Sequence, residues 1–375
     1  MLPLCFGAFF AFGVVLVLVG ANQASLAAEL GLDLAESGLL ASTLALGLGA
    51  GVVIAGPLFD RYPRRPLFVG STLLAAVALL GVERDMSYVR WLVHAALAGV
   101  GIGLYDTLIN AVIAARYEER SARPMLAVHS AATLGATLGA PLVGWIAAAH
   151  HFTASFAAAG WLHVAIAAWA ACVPLPGPAP RGGASRGGVG SAHAALAIGP
   201  LLPLAAIAFA YVGVESSVTV FAIPYATGAL GLDAARGQLG ISAFWLGLLV
   251  GRVALLGLRG ALDARVLVAS GVASAALLAA TSALPIAPLE LALFSAGTAL
   301  GSVYPLMIAL AGQRFPSARG TAAGLVAGAG ALGGFAVPWL TGMTGDAAGI
   351  GVGLGSLALW CAAIAAAAAL ARRVR

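Results

Sequence analysis

The chain of 375 residues contains no lysine, three cysteines and little charge of either sign: Asp, Glu, Lys and Arg together make up 9% of it. A soluble domain of this length needs a charged surface, so that scarcity excludes one. Cys5, Cys172 and Cys361 stand in apolar runs without paired spacing, which indicates neither a disulfide framework nor a metal site. A phosphate-binding loop, a metal-ligand spacing, a nucleophile constellation and any loop long enough for a catalytic domain are also missing. No enzymatic activity and no cofactor are expected. Met1-Leu2-Pro3-Leu4 carries no basic stretch of the kind that opens a cleaved signal peptide, so the first apolar run is expected to stay as a helix.

Apolar residues fill the space the charges leave, at 61% of the chain and a mean hydropathy of +1.01. These are values of a polytopic membrane protein with the lipid bilayer as solvent. Arginine as the sole strong base, in an Ala- and Gly-rich text, suggests a GC-rich bacterial genome and hence a bacterial inner membrane.

The chain also matches itself. Leu30-Gly31-Leu32-Asp33 recurs 200 residues later as Leu230-Gly231-Leu232-Asp233, and Ser42, Leu46, Gly47, Leu48 and Gly51 meet Ser242, Leu246, Gly247, Leu248 and Gly251. At a spacing of 198, Gly103, Arg116 and Tyr117 meet Gly301, Arg314 and Phe315. Runs near 20 apolar residues, the length that crosses a bilayer, fall near 3–21, 37–59, 66–82, 89–115, 125–149, 154–174, 200–227, 238–258, 266–284, 289–312, 320–343 and 350–371. The pattern predicts an all-α membrane protein of twelve helices in two six-helix bundles, 1–175 and 200–375, joined by a Gly/Pro/Ser-rich cytoplasmic linker at 176–199. With the N-terminus inside, sixteen arginines, Arg252 counted among them, fall on the cytoplasmic side against Arg84, Arg90 and Arg236 outside, so both termini are expected to be cytoplasmic. The net charge of +5 is thereby a topology signal and no footprint of nucleic acid.

Two acids fall well inside spans: Asp106 in the fourth and Glu215 in the seventh. A carboxylate in hydrocarbon costs several kcal/mol, so such a residue faces a watery cavity or a partner and serves a function. A carboxyl group also accepts and releases protons, which makes both candidates for proton coupling. Asp106 and Asn110 share a helix face with Gly99 and Gly103, and Tyr211, Glu215 and Tyr225 share another. By the repeat, Asp106 corresponds to Tyr304 and Glu215 to Val15. Acids kept for symmetric packing would appear in both halves, so the asymmetry favours chemistry.

Between the second and third spans stands Gly56-Pro57-Leu58-Phe59-Asp60-Arg61-Tyr62-Pro63-Arg64-Arg65. It resembles the signature loop of the major facilitator superfamily, Gly-x-Leu-x-Asp-Arg-x-Gly-Arg-Arg, with Pro63 in place of the second glycine. Asp60 at that helix end can accept from Arg61 or Arg116, or sit at a neighbouring helix N-terminus, and so act as a gate with Gly56, Arg64 and Arg65. Within the superfamily, Gly101-Ile102-Gly103-Leu104-Tyr105-Asp106-Thr107-Leu108-Ile109-Asn110 resembles the Gly-x-Gly-x-x-[Glu/Asp]-Thr-x-x-Asn of the fucose permease branch. Tyr211-Val212-Gly213-Val214-Glu215 with Tyr225, and Gly301-Ser302-Val303-Tyr304-Pro305, resemble its seventh and tenth helices. That branch's acid in the first helix is absent here, Asn22 being the nearest polar group. Span five pulls elsewhere: Gly135-x-x-x-Gly139-Ala140-Pro141-x-x-Gly144 resembles an element of drug and metabolite antiporters, and is equally an ordinary close-packing pattern.

The resemblance implies a monomeric permease that moves a small polar, sugar-like solute with protons by alternating access, with efflux or passive uniport as alternatives. Asp106 and Glu215 are the expected coupling acids, and Asn22, Asn110, His129, Tyr211, Tyr225, Trp245 and Tyr304 the candidates for solute binding.

Overall fold

The structure is a computed structural model that describes residues 1–117, 122–175, 198–257, 264–283, 288–315 and 319–373. The described residues are nearly all helical, and eleven stretches among them are long and apolar enough to cross a membrane. The first half comprises α1 (Leu2–Ala21), a short α2 (Gln23–Leu30), α3 (Leu34–Arg61), α4 (Arg64–Leu80), α5 (Tyr88–Tyr117), α6 (Ala122–Ala149) and α7 (Thr153–Cys172). The second comprises α8 (Ile198–Pro224), α9 (Ala234–Gly257), α10 (Ala264–Ala283), α11 (Leu289–Leu300), α12 (Val303–Arg314), α13 (Arg319–Ala348), α14 (Ile350–Gly355) and α15 (Leu357–Arg373). Helix α4, with 17 residues, stands where the third span is expected, about 25 Å long and hence at the short limit for a crossing.

The repeated residues turn out to be joints. Gly31 and Gly231 both take the left-handed conformation, with φ of 66° and 65°, where a side chain would be strained. Two residues on, Asp33 accepts from the Glu36 amide at 2.7 Å and Asp233 from the Arg236 amide at 2.8 Å, so each repeated tetrapeptide ends one stretch and caps the next helix. The repeated glycines do the second job. Gly47, Gly51, Gly99 and Gly103 press α3 against α5 so closely that a Cβ at any of them would strike the opposing backbone, and Gly247, Gly251, Gly297 and Gly301 repeat that contact between α9 and α11. Where lipid removes the hydrophobic drive between helices, such close backbone approach is what holds them together.

The two halves meet along α3 with α13 and along α6 with α9. A set of close cross-half joints lies toward the end that carries Asp33, Asp233 and Asp346. Gly20 packs on the Thr219 carbonyl, Gly38 on Pro338, Gly342 on Leu34, and Gln238 donates to the Ala21 carbonyl at 3.0 Å. This acidic end is closed.

Three expected spans are not single helices. The tenth is interrupted at Gly301-Ser302, because Pro305 offers no N–H to the Gly301 carbonyl four residues before it. The twelfth divides at Ser356 into α14 and α15. The seventh ends as α helix at Pro224 and continues as a π-helical turn, Tyr225–Ala229. Helix α2 was not expected at all: its eight residues are too few to cross, and Asn22 forms the bend that separates it from α1. Most of the expected linker, 176–197, lies outside the described residues, as do the surroundings of Gly56 and the side chains of Pro57 and Asp60. The described side chains of the expected gate, Arg61, Arg65 and Arg116, are exposed and Arg64 is half-buried.

Candidate functional site

Both embedded acids stand where the halves face each other. On α5, Asn110 donates to Asp106 Oδ1 at 3.1 Å, one helical turn apart, as the spacing of four requires. From α6, His129 Nε2 lies 3.1 Å from Asn110 Oδ1, an oxygen that only accepts, so the imidazole proton sits on that nitrogen. The Phe9 ring of α1 packs edge-on against His129, with centroids 4.8 Å apart, and fixes the imidazole plane. The chain His129, Asn110, Asp106 thus points every donor toward one carboxylate. Among the described residues, Asp106 has no cation in ion-pair contact.

Glu215 is different. On α8, Tyr211 donates to Glu215 Oε2 at 2.5 Å, and from α9 Arg252 reaches the same oxygen at 3.7 Å while donating to the Tyr211 hydroxyl at 3.1 Å. The Arg252 and Glu215 side chains are 11% and 14% exposed, so the pair is desolvated and each member depends on the other. Arg252 Nη1 also donates across to Thr133 Oγ1 of α6 at 2.5 Å, and one helical turn from Thr133 the Thr137 carbonyl accepts from Ser242 of α9 at 2.5 Å. Tyr304, at the start of α12 just past the interruption, stacks obliquely on Tyr211 with centroids 5.8 Å apart and lies within electrostatic reach of Asp106, Glu215 and Arg252. Four helices of the two halves, α5 and α6 against α8 and α9, with the broken α11–α12 beside them, therefore build one cluster of charged and polar side chains between the halves.

Six of the expected site residues come together here: Asp106, Asn110, His129, Tyr211, Glu215 and Tyr304. Three others do not join the cluster's hydrogen bonds through their side chains. Asn22 is buried at the bend between α1 and α2, donating to the Leu18 carbonyl and to Ser155 of α7. Tyr225 donates to the Thr281 carbonyl of α10; ten residues past Glu215, it stands about 80° round the helix from that side chain. Trp245 is buried and donates to Thr219 Oγ1 at 3.1 Å, one helical turn from Glu215. His94 and His163 are bound to the backbone carbonyls of Ala78 and Ala159 and belong to the packing of the first half. The glycines of the α6 element pack as well: Gly135 on Phe10, Gly139 on Val14 and Val17, Gly144 on Gln238.

The residue that sequence reasoning placed elsewhere is Arg252. Grouped with the topology arginines, it lies inside a span, flanked by Leu248-Leu249-Val250-Gly251 and Val253-Ala254-Leu255-Leu256, and its repeat counterpart is Val52. The asymmetry that singled out the acids applies to it equally.

The Major Facilitator Superfamily model matches residues 4–338. Among solved structures, a bacterial homologue of the human lysosomal transporter Spinster, inward-facing and unoccupied, superposes with a TM-score of 0.80 at 14% identity, over 100% of this chain and 96% of that one. The E. coli fucose:proton symporter FucP, as a point variant, superposes with a TM-score of 0.70 at 18% identity over 99% of this chain and 98% of that one. Among curated sequences, multidrug resistance protein MdtL of Shewanella sp. (strain ANA-3) is 28% identical over 142 residues, 37% of this chain and 35% of that protein. The chain spans about a third of the length of the curated relatives it matches.

Proposed function

The chain belongs to the Major Facilitator Superfamily, a multi-pass membrane transporter family, and from that premise we propose that it imports a small, uncharged polar solute of sugar-like chemistry together with protons. The two halves rock about the polar cluster, exposing it first to one side of a bacterial inner membrane and then to the other. In this reading both termini are cytoplasmic, by the arginine distribution, and the chain works as a monomer.

The observation that carries the proposal is the division of labour between the two acids. Glu215 is neutralised by Arg252, whereas Asp106 accepts one hydrogen bond, from the Asn110 amide, and meets no cation among the described residues. A lone carboxylate at this depth is tolerated when it takes up a proton, so Asp106 is the proton carrier and Glu215 is the residue that organises the solute site. Among the described residues Asp106 Oδ2 and Glu215 Oε1 accept no hydrogen bond, which leaves them for donors on the solute. Hydroxyl groups supply such donors. An anionic solute would meet two carboxylates and an arginine already engaged. Asn110, His129, Tyr211 and Tyr304 complete the lining.

The test is uptake into proteoliposomes under an imposed pH gradient, with a panel of neutral sugars and polyols beside sugar acids and common drugs. Accumulation of a neutral polyol that a protonophore collapses is expected. Accumulation of sugar acids alone, or extrusion of drugs without any polyol uptake, would contradict the reading. Efflux is the second reading, supported by the MdtL match.

A further inference from the structure

Helix α3 begins with four backbone N–H groups that its own hydrogen bonds leave without partners, those of Asp33, Leu34, Ala35 and Glu36. Two are satisfied locally: the Asp33 amide donates to Glu36 Oε2 at 3.2 Å and the Glu36 amide to Asp33 Oδ1 at 2.7 Å, a reciprocal capping box. The other two are satisfied from the opposite half. The Leu34 amide donates to Asp346 Oδ1 at 3.0 Å and the Ala35 amide to Asp346 Oδ2 at 2.8 Å, both oxygens of one carboxylate at the end of α13 being used. A carboxylate gripping a helix N-terminus through two charge-assisted bonds also meets the positive end of the helix dipole.

Among the described residues this contact is made once, although the fold offers it twice. The pseudo-symmetric seam joins α6 to α9, where Asp233 caps α9 from its own chain segment and the repeat position of Asp346 at a spacing of 198 is Ala148. There Gln238 and Gly144 make the contact instead, and among the described residues no acid of the first half caps α9. The bidentate cap is thus an addition to the shared scaffold, placed at the closed end of the seam, where Gly342 and Gly345 bring α13 against Leu34.

We propose that Asp346 is the conformational latch of the acidic end. Resting on the alternating-access reading above, it holds the closed arrangement by completing the cap of α3, and parting of the halves hands the Leu34 and Ala35 amides to water. The cap costs nothing to the fold of either half, since α3 keeps its own capping box when the latch opens.

The experiment measures the distance between spin labels at Arg84→Cys and Ala235→Cys, in the first and second half at that end, in full-length protein in lipid nanodiscs with the three native cysteines replaced. Asp346→Asn is expected to raise the ratio of open to closed molecules by about tenfold. Leu34→Pro removes one of the two donors at a helix position where proline is tolerated. Compared with Leu34→Ala, it is expected to shift the ratio in the same direction and by less. Distance distributions in Asp346→Asn that match the parent, or a shift that Leu34→Pro does not reproduce beyond Leu34→Ala, would overturn the latch. The measurement needs no solute and no proton gradient, so a failure of the transport reading would leave a shifted distribution standing.

Discussion

Helix α5 and the pair α11–α12 descend from the same repeated segment, and they differ where the site lies. In the first half the helix runs unbroken through Tyr105, Asp106 and Thr107, and a carboxylate projects from it. In the second the corresponding residues are Val303, Tyr304 and Pro305, the helix is interrupted at Gly301-Ser302, and an aromatic hydroxyl takes the place of the acid. What stays alike is the glycine contact behind each, Gly99 and Gly103 against α3, Gly297 and Gly301 against α9. The repeat therefore supplies two equivalent walls, and chemistry was placed on them separately: on α5 an acid that meets no cation among the described residues, on α12 a tyrosine that stacks on Tyr211 beside the ion pair of α8 and α9.

The comparison breaks most visibly at the ion pair. Arg252→Gln leaves Glu215 buried without its cation and is expected to cost about 3 kcal/mol of stability, as loss of one partner of a desolvated pair does. Glu215→Gln together with Arg252→Gln should recover most of that loss, because no bare charge remains. Thermal unfolding of the purified single and double variants checks it. No such partner is lost when Asp106 is neutralised, so Asp106→Asn is expected to leave the unfolding temperature near its parent value.

A smaller effect is expected at the interruption. Pro305→Ala restores an N–H for the Gly301 carbonyl and makes α11–α12 resemble α5, gaining about 1 kcal/mol of helix stability. Turnover should fall several-fold while solute affinity holds, if the break serves motion. Unchanged turnover would make the break a relic of sequence. Least affected is Tyr225→Phe, which gives up one hydrogen bond to the Thr281 carbonyl, roughly 1 kcal/mol, and should leave solute affinity alone, since this side chain is turned away from the cluster. Altered solute affinity in Tyr225→Phe would place it back on the cavity.

Much of this architecture could be read in advance, because glycine joints and apolar lengths are local properties. Leu30 to Asp33 and Leu230 to Asp233 marked corresponding places in the two halves, and the structure makes a joint of each. The acids were legible for the same reason: a charge in a 20-residue apolar run stands out whatever surrounds it. Pairing was not legible. Arg252 counts equally toward topology and toward a buried ion pair until α8 and α9 are placed side by side, and only the tertiary arrangement brings its guanidinium within 3.7 Å of Glu215. Tyr225 shares only a loose helical spacing with Tyr211 and Glu215: ten residues past Glu215 it stands about 80° round the helix, and its hydroxyl goes to the Thr281 carbonyl of α10 instead. The contact between Asp346 and α3 joins positions 312 residues apart and leaves no mark on either sequence.

The central claim is that Asp106, the acid without a cation, carries the coupled proton while the paired Glu215 does not. It is tested most directly in proteoliposomes containing Asp106→Asn, where solute uptake driven by a pH gradient is compared with solute counterflow at equal pH. The account predicts that counterflow persists and gradient-driven accumulation is lost, since exchange requires only rocking of the loaded protein whereas accumulation requires the proton. Accumulation at the parent level in Asp106→Asn would contradict it.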